Sequence, residues 1–194
     1  MPSYSIIENF EVHKNNRFLE IAESLKPELR HKEIKAAKEI MVGKDRQMRT
    51  VITEEYPIEN LYAKSLKRDD TVFVDFGDHA VGYVTLELSK TGSHQDAPVY
   101  FYLKFGERLE EMTDKTADYD GWLSRGWIQE EYIHVDVLPA KVKLPRRYSF
   151  RYMELRVIDT SAKFQLKIDG ISCDTVSAVD MESVKPVSYT HLTL

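Results

Sequence analysis

Residues 98–106 read PVYFYLKFG, and their alternation decides the fold. Val99, Phe101, Leu103 and Phe105 face one way and Tyr100, Tyr102 and Lys104 the other, because successive side chains of an extended chain point to opposite faces. The same period of two returns in VGYVTLELS through Val84, Leu86 and Leu88, and in EYIHVDV through Ile133, Val135 and Val137. It returns again in YMELRVI through Met153, Leu155 and Val157, and in KFQLKIDG through Phe164, Leu166 and Ile168. Each strand has one apolar and one wet face, with little helical pattern between them. That predicts a mainly β fold, an antiparallel sheet packed on one side as a β-sandwich or jelly roll, and disfavours a parallel α/β sheet.

Upstream the period changes. In RFLEIAESLK, Phe18, Ile21, Ala22 and Leu25 sit at i, i+3, i+4 and i+7, one face of a helix. PELRHKEIKAAKEIMVG places Ile34, Ala37 and Met41 at similar spacing and closes on Gly43, which predicts a second helix with a C-terminal glycine cap. The expected organisation is a helical lead segment over 1–46, a β-sandwich domain over 47–185, and a separate tail over 186–194.

The chain has 194 residues, 42% hydrophobic and 30% charged, with a net charge of -5, an ordinary composition for a soluble domain. The acidic balance argues against a nucleic-acid partner, which needs a basic face. The single cysteine, Cys173, excludes an internal disulfide, and no paired Cys/His spacing suggests zinc. The N-terminus lacks a basic segment followed by an apolar run, and no later stretch is long enough to span a bilayer. A cytoplasmic location without membrane contact is the expectation.

The acidic stretch TDKTADYDG invites a calcium reading through Asp114, Asp118, Asp120 and Gly121. Aligned on an EF-hand loop, it puts Thr116 and Trp127 where carboxylates are required, so the match fails and no metal is expected. DYDGWLSRGW then sets Tyr119, Trp122 and Trp127 among Asp118, Asp120 and Arg125. Sugar sites combine flat apolar faces with carboxylates and arginine. These six residues are therefore the candidates for binding carbohydrate or meeting a neighbouring domain; the alternative is that the tryptophans plug the end of the sandwich. Glu130 and Glu131 are strand neighbours on opposite faces and cannot form a glycosidase carboxylate pair by themselves. His134 beside Asp136 reads as a solvated face. In PRRYSFRY, Arg146, Arg147 and Arg151 interleave with Tyr148, Phe150 and Tyr152, a surface or interdomain cluster rather than a strand-binding platform for nucleic acid. No nucleophile elbow, phosphate loop or cofactor motif is present.

As an ordered series, FVDFGDHAVGYVTLEL, YLKFGERLEEM, DYDGWLSRGWIQEEYIHVDVLP and LPRRYSFRYMELRVIDTS resemble the β-sandwich region that precedes the catalytic barrel in bacterial α-L-rhamnosidases of glycoside hydrolase family seventy-eight. The resemblance covers about residues 70 to 180 and implies a galactose-binding-like sandwich. It implies a parent enzyme that hydrolyses terminal α-L-rhamnosides with inversion, using acidic residues of an (α/α)6 barrel. The acidic D-G-P-K-R-D-R-R-L-W type stretch of such barrels is absent, so no catalytic residue carries over. The closing PVSYTHLTL bears no Asp, Glu, Lys or Arg and back-translates into the mosaic-end adapter of transposase-built sequencing libraries. Residues 186–194 are therefore expected to be non-native.

The expectation is a non-catalytic N-terminal part, inactive alone. Its partners would be its own catalytic barrel and a rhamnose-containing saccharide. A free-standing carbohydrate-binding module and a pure scaffold are the alternatives.

Overall fold

One long strand organises the sheet. In the computed structural model, which describes residues 14–179, helix α1 (Asn16–Ser24) is followed by β1 (Arg30–Lys35), β2 (Lys38–Lys44), β3 (Thr50–Pro57), the short α2 (Ile58–Tyr62) and β4 (Thr71–Gly92). β5 (Val99–Gly106), β6 (Glu130–Val135), β7 (Ala140–Lys143), β8 (Tyr148–Asp159) and β9 (Phe164–Ser177) complete it. The tail over 186–194 lies outside the described residues.

His31–Ser177 form one compact unit. In it the first part of β4 pairs antiparallel with β8 and β2, and the second part pairs antiparallel with β9 and β7. β5 continues from β8, and β6 from β5, both antiparallel. β4 therefore belongs to two layers, and the sheet folds over along it into an antiparallel β-sandwich. The inner faces share one core containing Val84, Leu86, Phe101, Leu103, Phe150, Met153, Leu155, Leu166 and Ile168. The apolar half of the predicted alternation is buried along these strands, through Val84, Leu86, Leu88, Phe101, Leu103, Met153, Leu155, Val157, Phe164, Leu166 and Ile168, with Ile133 half-buried. The other face of β5 is not wet, because Tyr102 and Lys104 are buried as well. Among the predicted apolar positions, Val137 is the exception. β6 ends at Val135, and Val137 is exposed beyond it.

The corner of β4 explains two glycines. The register with β8 breaks between Asp75 and Ala80, where Gly77 adopts φ +87, a conformation that costs other residues a Cβ clash. At Gly82 a Cβ would lie 2.2 Å from the backbone oxygen of Asp174, so only glycine lets β4 and β9 approach there. Asp75, a buried carboxylate, anchors the corner by accepting from the Gly77 amide (2.7 Å) and from two guanidinium nitrogens of Arg151 (2.9 Å each). Burial raises its pKa, but Arg151, the Gly77 amide and Lys38 outweigh burial and hold it below the ordinary carboxylate value.

The first predicted helix forms as α1, N-capped by Asn15, whose side chain accepts from the amides of Arg17 and Phe18. The second does not form. Residues 30–44 are strands β1 and β2, so the strands of the sandwich begin upstream of residue 47 and the helical lead is α1 alone among the described residues. The reason is long-range. β1 lies beside β9, β2 is held between β3 and β4, and the link between β1 and β2 donates from Ala36 N to Ile171 O (3.1 Å) and from Ala37 N to Asp75 O (3.0 Å). These ladders override a marginal helical spacing in a heavily charged segment. Gly43 is not a helix cap; it pairs with Val51.

Candidate functional site

Between β5 and β6 the chain leaves the sheet over residues 107–129, passing through short 3-10 turns at Leu109–Met112, Thr116–Asp118 and Arg125–Trp127. Met112 packs with Ile40 and Tyr152, beside Phe73, in a second small apolar cluster separate from the main core. The excursion is thereby fastened to a sheet face the sequence predicted to be wet.

Side chains, more than strand ladders, hold the rest. Lys104, only 5% exposed on its strand, donates to the carbonyl of Asp114. Glu130 Oε1 accepts from Tyr102 (2.6 Å) and from the Thr116 hydroxyl. The Thr113 hydroxyl meets Thr50 Oγ1 (3.0 Å) and accepts from Lys44 Nζ (3.1 Å). Gln129 makes a reciprocal pair with the backbone of Ser149, at 2.7 Å in each direction. Burial, reinforced by the Glu130 carboxylate, pushes the Tyr102 phenol well above its ordinary pKa, and burial also raises the Glu154 carboxyl on the adjoining strand. Arg156 lies over the Tyr102 ring at 4.7 Å.

This arrangement encloses an open cavity of about 770 Å³ between the excursion and the end of β5. Of the six sequence candidates, Asp118, Tyr119, Asp120 and Trp127 line it together. Trp122 and Arg125 do not. Arg125 turns back and donates to the Tyr119 carbonyl (3.1 Å from Nη2), bracing the loop, while Trp122 is 81% exposed on its outside. Trp127 is 75% exposed, so neither tryptophan plugs the sandwich. Lys104, Thr116 and Gln129 also line the cavity, and none of them is among the residues the sequence offered for binding. The one signal for Lys104 was its place as the lone charge within the apolar and aromatic run of β5.

The remaining candidates resolve into structural roles. Glu130 and Glu131 engage different partners, Glu131 accepting from Arg146 (2.7 Å) and Tyr148 (2.6 Å), so the two carboxylates do not act as a pair. His134 stacks on Tyr100 at 4.0 Å. The PRRYSFRY run is not an open basic platform: Arg146 and Arg151 are paired with Glu131 and Asp75, and Tyr148 and Phe150 are fully buried. Among the described residues, no group of three His, Cys, Asp or Glu side chains is placed to hold a metal ion.

Comparison with known proteins gives these elements a context. Residues 38–175 match the family described as the glycosyl hydrolase family 78 alpha-rhamnosidase N-terminal domain. Among solved structures, the chain is similar to a rhamnosidase from Klebsiella oxytoca with rhamnose bound, with 34% identity over 86% of this chain and a TM-score of 0.82. The match spans about a third (33%) of the Klebsiella chain. A rhamnosidase of that family from Bacillus sp. GL1 matches at 17% identity over 56% of this chain and 10% of its own, with a TM-score of 0.41. No curated protein matches.

Proposed function

The chain belongs to the glycosyl hydrolase family 78 alpha-rhamnosidase N-terminal domain family, and from that premise we propose that the protein it serves is an inverting hydrolase of terminal α-L-rhamnosides. The chain itself is the non-catalytic N-terminal β-sandwich part of a rhamnosidase. The observation that carries the proposal is the extent of the likeness: nearly all of this chain aligns with only a third of the Klebsiella enzyme. The chemistry belongs to the part not aligned. In an inverting glycosidase a carboxylic acid protonates the leaving oxygen while a carboxylate across the cleft activates water, and no such pair was found among the candidates here.

The sandwich would pack on a catalytic barrel and help wall its cleft. The exposed Trp122, on the outer side of the excursion, supports a docking role, because large exposed aromatic surface favours being covered. The protein is expected to act in the cytoplasm, which cell fractionation would check; no described helix is long and apolar enough to cross a membrane. A second reading, carbohydrate binding by the sandwich itself, is favoured by the cavity beside Tyr119 and Trp127.

The test is to read the source DNA onward from the PRRYSFRY codons past codon 186 and express the continuous frame. The extended protein should hydrolyse an aryl α-L-rhamnoside, and the 194-residue chain should not. Turnover by the 194-residue chain, abolished by a substitution within it, overturns the proposal. A stop codon directly after Leu194 would favour the binding-module reading.

A further inference from the structure

We infer that the cavity beneath the 107–129 excursion is a subsite for a neutral saccharide, complete within this chain, with Trp127 and Tyr119 as its apolar walls and Trp122 excluded from it. The inference deepens the carbohydrate reading above and rests on it.

Size is the first argument. A cavity of about 770 Å³ falls in the range of small-molecule sites, and it is built wholly from β5 and the excursion that follows. Chemistry is the second. Its lining joins the aromatic residues Phe105, Tyr119 and Trp127 to the carboxylates Asp118 and Asp120 and the amide of Gln129. A sugar ring presents C–H faces to aromatic rings and hydroxyls to such acceptors and donors. Charge narrows the ligand class. Glu111, Asp114, Asp118 and Asp120 outnumber Lys104 and Lys115 around the cavity, which disfavours a phosphate or a carboxylate ligand and suits an uncharged polyol.

Lys104 makes the site more than an acidic loop. Lys104 is only 5% exposed, yet it lines the cavity. Its ammonium carries three donors, and the Asp114 carbonyl takes one. The other two can meet ligand hydroxyls. Trp127, by contrast, leaves most of its surface to solvent, so a ring laid on it would remove apolar area from water without displacing any protein group.

The chain has two tryptophans, Trp122 and Trp127, which allows a site-resolved test by intrinsic fluorescence. In Trp122→Phe the emission reports Trp127 alone. Titrating this variant of the full chain with methyl α-L-rhamnopyranoside should give a saturable change, and sodium phosphate should give none. Trp127→Phe, which leaves only Trp122 as reporter, should give no change in emission. Calorimetry on Trp127→Ala should find affinity lowered about tenfold, while its thermal melt stays unchanged, as its exposure requires.

No saturable response in Trp122→Phe, a response to phosphate, or a response that follows Trp122 overturns the inference. Failure here is separable from failure of the proposed function. If the extended protein hydrolyses rhamnosides but the glycoside leaves Trp127 silent, the subsite fails and the enzyme assignment stands; binding of the glycoside by calorimetry in that case would keep carbohydrate binding and move it away from this cavity. If the chain binds the glycoside but the extended protein is inactive on rhamnosides, only the enzyme assignment is wrong.

Discussion

Phe150 and Trp127 both come from aromatic-rich runs, yet one is fully buried in the sandwich and the other is 75% exposed on the excursion. Phe150 meets Phe76 edge-on at 4.9 Å and Phe105 at 5.1 Å. It sits on a strand whose backbone is bonded on both sides. Trp127 sits in a 3-10 turn whose position depends on a handful of side-chain bonds. The sandwich is thus held by many redundant contacts and the excursion by few specific ones. The first arrangement makes a platform, and the second leaves surface available for a partner.

The contrast can be broken most directly in the core. Phe150→Ala should cost about 3–5 kcal/mol in urea denaturation, by removing a close-packed ring and leaving a cavity. A cost under about 1 kcal/mol would mean the core is not packed as described.

The corner of β4 comes next. Asp75→Asn removes the carboxylate that Arg151, itself partly solvated, is bonded to, and should cost about 2 kcal/mol. The pH dependence has a definite sign. Because the folded-state pKa of Asp75 is depressed, its contribution is fully present above the ordinary carboxylate pKa and is lost as pH falls through the lower folded value. Thermal melts from neutral to acid pH should therefore show a steeper acid loss in the parent than in Asp75→Asn. Equal slopes would remove Asp75 from the account.

Smaller effects are expected outside the sandwich. Lys104→Met removes the donor to Asp114 and should cost about 1 kcal/mol. Hydrogen exchange should speed up across 107–129 and stay unchanged in β4, β8 and β9; faster exchange throughout would show that the excursion is part of the cooperative core. Trp122→Ala should change stability by less than about 0.5 kcal/mol, and a larger loss would place Trp122 in packing rather than at a surface.

Much of the sandwich was legible because burial follows a period of two. Leu86, Leu103, Leu155 and Leu166 could be assigned to the inside from spacing alone, and all are buried. Of the motif residues that carry the family likeness, those in FVDFGDHAVGYVTLEL proved to be structural. Asp75, Gly77 and Gly82 make the corner of β4 and its close approach to β9, so they mark the fold without marking an active site. Residues 30–44 were misread because Ile34, Ala37 and Met41 fit a helical spacing over a stretch too short to discriminate, and the deciding bonds come from Asp75 and Ile171, far along the chain. Within the candidate site, the residue types were legible and their grouping was not. Six neighbours in sequence divided into four that line the cavity, one brace and one outward tryptophan.

By itself, then, the sequence determined the core-facing residues of β5, β8, β9 and the second half of β4, since alternation along a strand is a local property that hydrophobic burial reads directly. It also carried the family likeness, through an ordered series of residues that the fold needs. Only the tertiary structure decided that β1 and β2 are strands, that Lys104 is buried beside a cavity, and that Trp127 faces that cavity while Trp122 does not. Each of these depends on partners distant in the chain or on the path of an irregular loop, and neither leaves a periodic trace in the residues concerned.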